Sequence, residues 1–506
     1  MNGLCSLALA AAVMLTDAGD DYTPQALREQ EAAARARYGG SERDLPLDVK
    51  AEFFEWQLWR YHRTPFKQVY NAARLPGERG KPSACLPGSD TSTWNGALLA
   101  ALSYKYAVTK DAATLARIGE LLEGLHLFFA ITTMPGLPAR TMTADAALAT
   151  PEMQPGVGPD GAQYFYRADP AKGTVNQIAC GYAAMRMHAY NDLPPATQAM
   201  AQGDLTAMVL HVIDRDYHLT HRDGKRTTYG DLTPVIGSIG VPFNGQLAYH
   251  IVALGNAFPP ADAEQKRRID EEFHRLRVKH HVYYEDGFNL VQPQRVAASS
   301  LLKGMNDRNH AINAAFSGLW LEIAQARAGR PLDRNFVYEL GQTMCFGMER
   351  IGSDGNALCN FMWAALIADA EVFEAMVRRR PENARALARH ALGDGVEQLR
   401  RFKLDRFSYP GRVVPAGRPL WVDQRPSDDY QWKADPPLAF QATGPASDTM
   451  FCAIDYLYAY WMMRHYRLDG DESLQARHGG VLGRTPGLAI SPAADGSFLP
   501  ARDPGP

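Results

Sequence analysis

The stretch Ser89-Asp-Thr-Ser-Thr-Trp-Asn-Gly96 runs on as ALLAALSYKYAVTKDAATLARIGELLEGLHLFFA to Ala130, and its periodicity decides the fold class. Trp94, Leu98, Leu102 and Tyr106 fall on one i, i+4 line, a single face of a 3.6-residue helix. The link Val108-Thr-Lys-Asp111 is a tight turn, and a second apolar helix follows over 111–130. Two such helices joined so closely form an antiparallel hairpin. Five small oxygen-bearing side chains, Ser89 to Thr93, and a tryptophan stand at the start of the first helix. They are either an N-cap, through Asp90 or Ser92, or the rim of a site that holds something polar against an aromatic face.

Working outward, the same period recurs and strand alternation is scarce. Helices are expected near 47–63, 93–108, 111–130, 175–191, 197–215, 243–257, 262–280, 308–327, 334–350, 357–377, 382–402 and 448–466. Short links alternate with long ones, at 131–173, 216–242, 281–306 and 403–447, rich in Gly, Pro, Tyr and Asp. Loops of that length usually carry function. The pattern predicts an all-α chain, an (α/α)6 toroid of about six helical hairpins with long loops at one end and little β structure. No Pro/Gly/Ser-rich linker breaks the series, so residues 45–466 read as one domain, preceded by a segment at 19–44. The tail 467–506 has a disorder-like composition.

The chain has 506 residues, 46% hydrophobic and 22% charged, with a formal net charge of −3. That balance offers no basic field for nucleic acid or anionic membranes, and no later segment reaches the length of a membrane span. The run LCSLALAAAVML near the amino terminus has the length of a signal-peptide core, with Thr16-Asp-Ala18 as a cleavage site. No Lys or Arg precedes it, and a short N-terminal helix is the alternative. Export implies a periplasmic or secreted protein; a cytoplasmic one stays open. The six cysteines are scattered without CxxC or zinc spacing and read as core thiols, one disulfide at most.

Polar and aromatic clusters sit ahead of several helices: Ser89–Gly96; Tyr164–Asp169 with Gly173–Gln177; Thr227-Thr-Tyr-Gly-Asp231; Asn306-Asp-Arg-Asn-His310; and Asp354-Gly-Asn356. In a hairpin toroid these entries share one end and converge on a cleft. Such a mixture suits a sugar. Aromatic faces cover pyranose rings, Asp and Asn bond hydroxyls, and two carboxylates cleave the glycosidic bond. Asp90, Asp145, Asp231, Asp307 and Asp354 are the candidate carboxylates. Asp231 leads because its loop is bounded by Gly and Pro, although an Asp bonding its own turn has the same signature. Inversion requires a separation of roughly 6.5–9.5 Å. Candidate binding residues are Trp94, Arg140, Asn176, Gln177, Tyr229, Arg308, His310 and Asn356. The loop Trp421–Trp432 adds Tyr430 and Trp432 as aromatic platforms. Arginines at the cleft would fit a uronate.

No Gly-rich fingerprint, Walker loop, HExxH or GxSxG elbow occurs. His280 and His281 are adjacent, which points two rings apart on a helix. No metal site or cofactor is expected. The hairpin pattern, the segment Asp223-Gly-Lys-Arg-Thr-Thr-Tyr-Gly-Asp231-Leu-Thr-Pro, Gly355-Asn-Ala-Leu-Cys-Asn-Phe361 and the closing helix Asp455-Tyr-Leu-Tyr-Ala-Tyr-Trp-Met-Met-Arg-His465 resemble the six-hairpin glycosidase superfamily, its poorly characterised bacterial members above all. The resemblance covers about residues 45–466 and implies a hydrolase; related toroids are polysaccharide lyases. Members often carry Asp-Gln where this chain has Asn176-Gln177, so one possible carboxylate is absent. The expected function is glycoside hydrolysis of an oligo- or polysaccharide. The alternatives are β-elimination, with Tyr229 or His310 as base and Arg140 or Arg308 neutralising a uronate, or a non-catalytic glycan-binding toroid.

Overall fold

The computed structural model describes Arg43 and residues 45–74, 84–233, 244–278, 307–351, 355–377, 381–407, 414–415, 420–427, 430–432, 439–440 and 449–468. The expected signal segment, Asp354, His280-His281 and the tail beyond 468 lie outside these. The chain is mostly helical. In order come α1 (Leu47–Gln57, prolonged by a π-helical turn Leu58–His62), α2 (Thr91–Thr109), α3 (Ala112–Ile131), α4 (Lys172–His188), α5 (Pro195–Asp214), α6 (Asn244–Ala257) and α7 (Ala263–Val278). There follow α8 (Asp307–Arg327), α9 (Arg334–Ile351), α10 (Ala357–Ala368), α11 (Ala370–Met376), α12 (Pro381–Arg401) and α13 (Ile454–His465). No helix among the described residues is long and apolar enough to cross a membrane.

Local chemistry sets these boundaries. Between α2 and α3, Lys110 takes a left-handed conformation (φ 52°), and Asp111 caps α3 by accepting from the main-chain nitrogens of Ala113 and Thr114. The helix expected over 357–377 is broken at Asp369, whose carboxylate caps α11 at Glu371 N and Val372 N and pairs with Arg327 at 2.7 Å. The helix expected from 448 begins at Ile454, because Thr449–Phe451 forms a strand, β10.

Two kinds of helix emerge. In α2, α4, α6, α8, α10 and α13 nearly every face is buried, as in helices surrounded by others. In α7 the buried apolar residues Ile269, Phe273 and Leu276 make one stripe, and α12 has another through Ala384, Ala388, Leu392 and Leu399. α2 packs on α4 and α13, α4 also on α6 and α8, α6 on α8, α8 on α10, and α10 on α13. Around them, α3 packs on α2, α5 on α6, α7 on α6, α9 on α8, α12 on α10, and α1 on α13.

The long links carry small antiparallel sheets. β1 (Ala72–Arg74) lies between β2 (Ala84–Leu86) and β10, joining early and late segments. The link after α3 folds as β3 (Thr141–Thr143), β4 (Gln154–Val157) and β5 (Gln163–Arg167), with β5 central. The link after α5 is a hairpin of β6 (His218–Thr220) and β7 (Arg226–Asp231). A two-stranded pair, β8 (Val414–Pro415) and β9 (Ala439–Phe440), completes the strands.

Candidate functional site

The entry of α2 is more than a cap. Asp90 holds the N-cap position, yet its side chain caps nothing. Arg140 donates instead through Nε to Asp90 Oδ1 at 2.6 Å and through Nη2 to Oδ2 at 3.0 Å, the bidentate form of the pair. Ser92 donates its hydroxyl to Arg140 O at 3.0 Å, and Arg140 N donates to Arg167 O at 2.8 Å. The β3–β5 sheet is thereby fixed to the helix start. Burial works against the charge on Arg140, but Asp90, with Asp169 and Tyr229 nearby, raises its pKa. With Nε and Nη2 both engaged, this guanidinium is a partner of Asp90 before it is a binder of any uronate.

Behind this rim the entries of α2, α4, α6, α8 and α10 are stitched together by polar contacts. Thr93 bonds Thr174 at 3.2 Å, and Lys172 donates to Asn244 Oδ1 at 2.9 Å. Asn176 donates through Nδ2 to His310 O at 3.2 Å, and its Oδ1 faces His250 Nδ1 at 3.0 Å; His250 Nε2 meets Ser317 Oγ at 2.8 Å. An aspartate at position 176 could not donate to that carbonyl, so the amide has a job that a carboxylate cannot do. The His310 ring stands so close to Gly173 that a Cβ there would collide with it. Asn309 and Asn356 both donate to Trp432 O, at 2.6 and 3.1 Å, and Asn356 caps α10.

Two amides in this set are incompletely paired. Asn313 Nδ2 donates to Gln177 Oε1 at 3.2 Å, which leaves Gln177 Nε2 and Asn313 Oδ1 buried with no hydrogen-bond partner. Both residues are 4% exposed. The Tyr458 hydroxyl lies beside Gln177 without meeting hydrogen-bond geometry. A free donor and a free acceptor on two bonded amides are the complements of the two faces of a hydroxyl group. Near them Trp94 meets Tyr430 edge to face, ring centroids 5.6 Å apart, and burial pushes the Tyr430 hydroxyl well above its ordinary pKa.

Several candidates land elsewhere. Trp432 is fully buried, its Nε1 donating to Asp455 O at 2.6 Å and its ring against Phe402; this removes it as a sugar platform. Asp145 caps a short 3-10 turn through Ala147 N. Asp231 has a side chain 61% exposed and accepts from Thr233 N at 2.8 Å, the turn bond that the sequence left open. Burial alone would raise its pKa, but the bonds from Thr233 and the charges of His218 and Lys172 bring it below the ordinary value. It is ionised at neutral pH, which suits a base and not an acid. Asp307 and Arg308 open α8.

Sequence reading missed Asn313, and it placed Asp169 and Asn309 in polar clusters without assigning them a role. Asp169 accepts from Thr228 N at 2.7 Å and ties β7 to the rim. Asn309 and Asn313 are four apart on α8, a polar pair on a helix otherwise buried in apolar neighbours, and that mismatch was the available signal. A groove of about 790 Å³ opens elsewhere, beside α5, lined by residues that include Pro135, Tyr190, Gln198, Gln202 and Ala207; no candidate named above lines it. Among the described residues no group of three or more His, Cys, Asp and Glu side chains could hold a metal ion. No family model, curated protein or solved structure matches the chain.

Proposed function

We propose that the helices close into an (α/α)6 toroid and that the protein is a carbohydrate-active enzyme, a glycoside hydrolase acting on an oligo- or polysaccharide at the entries of its buried helices. The toroid is supported by the neighbour series α2, α4, α6, α8, α10, α13, which returns to α2, and by the second set of helices packed against it. The observation that carries the sugar reading is the buried Gln177–Asn313 pair, with one donor and one acceptor unspent, next to the Trp94–Tyr430 aromatic corner. Desolvated amides without partners are costly unless a ligand or water meets them. A pyranose offers hydroxyls for the amides and an apolar face for the rings. In this reading Asp231 is the ionised carboxylate, and one of Asp90, Asp307 or Asp354 supplies the proton. The apolar run at the amino terminus fits an exported protein.

One observation favours a second reading, a glycan-binding toroid without turnover. Asp90 is held by Arg140 and Asp231 by its own turn, so two of the four carboxylates already have structural work. The test is purified protein against neutral and uronate-containing oligosaccharides, following reducing ends and the absorbance of unsaturated products, with Asp231→Asn alongside. New reducing ends that vanish in the variant support hydrolysis. An absorbance rise would mean β-elimination, and binding without products would leave the binder.

A further inference from the structure

We propose that Tyr229, on the hairpin that Asp169 anchors near the Asp90–Arg140 ion pair, is an outer subsite that holds a neutral sugar unit of a chain longer than the amide centre itself accommodates. This rests on the carbohydrate reading above. Tyr229 is 63% exposed and is one of three exposed large hydrophobic residues among those described. Its exposure is built in. The pairing of β6 with β7 is irregular: the two-residue step His218 to Thr220 faces the five-residue step Arg226 to Asp231. Such bulges re-aim side chains next to functional sites, and here Thr228 and Tyr229 both turn outward while Thr227 and Gly230 stay buried.

The hairpin that carries the ring is firmly seated. Thr228 N donates to Asp169 Oδ1 at 2.7 Å, Leu219 and Leu232 are fully buried, and a Cβ on Gly230 would come within 2.6 Å of Leu219 Cβ. A platform fixed in advance loses little entropy on binding. Tyr229 lies in electrostatic reach of Arg140, Arg140 grips Asp90, and Asp90 begins the turn that presents Trp94.

Charge selects the occupant. Next to this hairpin Arg140 has two carboxylates near it, Asp90 and Asp169, and already spends two donors on Asp90. A uronate carboxylate arriving here would face the Asp90 and Asp169 carboxylates, with the Arg140 charge already paired to Asp90. A neutral pyranose would cover the tyrosine ring and bond to the carboxylates through its hydroxyls.

The test is calorimetric titration of the full chain, Tyr229→Ala and Tyr229→Phe with neutral gluco-, manno-, xylo- and galacto-oligosaccharides of two to six units, and with oligogalacturonates of the same lengths. In the parent, affinity should rise with length on a neutral ladder. Tyr229→Ala should remove roughly tenfold of that rise, with less than twofold change for the disaccharide, and Tyr229→Phe should keep it. An equal loss at every length, no loss at all, or a preference for oligogalacturonates would overturn the subsite while leaving sugar binding intact. A parent that binds no member of any ladder would overturn the carbohydrate reading and this inference with it. The exposed ring makes Tyr229→Ala neutral to folding, which the melting midpoint checks.

Discussion

Gly96→Ala is the sharpest structural probe of the helix entries, because it acts where α2 crosses α4. A methyl group on Gly96 would lie 2.8 Å from Gln177 O, Ile178 N and Ile178 Cα, all main-chain atoms that cannot swing aside. On the other side of the crossing, a Cβ on Gly181 would collide with Gly96 O. To restore ordinary contact the helices must part by about 0.6 Å, a gap that forfeits a quarter to a half of each contact along the seam. Overpacking of this kind costs about 1–3 kcal/mol, against about 1 kcal/mol gained from alanine's better helix propensity. The net expectation is a loss of up to about 2 kcal/mol. Gly119 in α3 and Gly393 in α12 have nothing within 4 Å of the same methyl position. Gly119→Ala and Gly393→Ala should therefore gain about 0.5–1 kcal/mol. Urea midpoints at constant slope measure all three. A Gly96→Ala midpoint equal to or above that of Gly119→Ala would refute the close crossing, and with it the position assigned to Gln177.

Stability should fall on acidification. Burial lowers the pKa of His62 and His250 to about 3 and of His188 and His211 to about 4. The unfolded chain takes these protons near pH 6.5 while the folded chain refuses them, so their contribution is complete above that pH and is lost below it, by about 1.4 kcal/mol per histidine per pH unit. His126 has the opposite sign: its bond to Asp204 raises its pKa, and its contribution is present below pH 6.5 and is lost as pH rises through the raised value. Urea midpoints at pH 5 should lie below those at pH 7, and the reverse order would contradict the burial of the four rings. Cys85, Cys180, Cys345, Cys359 and Cys452 form no disulfide, so dithiothreitol should move the melting midpoint by less than about 1 °C, whereas loss of a bridge would cost several degrees.

Much of the fold was legible because the helical period survives in nearly every helix. The breaks were not: Asp369 stops a helix through cap bonds that look like any other aspartate, and Thr449–Phe451 becomes a strand only because β1 is there to pair with it. At the site, the entries of α2, α4, α8 and α10 were readable as polar clusters. Their division of labour was not. Whether Asp90 caps a helix or grips an arginine depends on Arg140, fifty residues away. Whether Trp432 is a platform or a core residue depends on Asp455 and Phe402, which sequence spacing cannot bring beside it. Asn313 went unnoticed because its meaning comes from Gln177 on another helix.

The central claim is that the Gln177–Asn313 pair is left unsatisfied for a sugar hydroxyl. The direct measurement is calorimetric titration of the tightest-binding oligosaccharide against the parent and the double variant Gln177→Met with Asn313→Leu, with urea midpoints beside it. Replacing both partners by apolar groups of similar shape removes two orphaned atoms and should leave stability unchanged or raise it. Affinity should fall about ten- to a hundredfold. Unchanged affinity would contradict the claim, as would a loss of stability of several kcal/mol, which would show that the pair serves the fold and not a ligand.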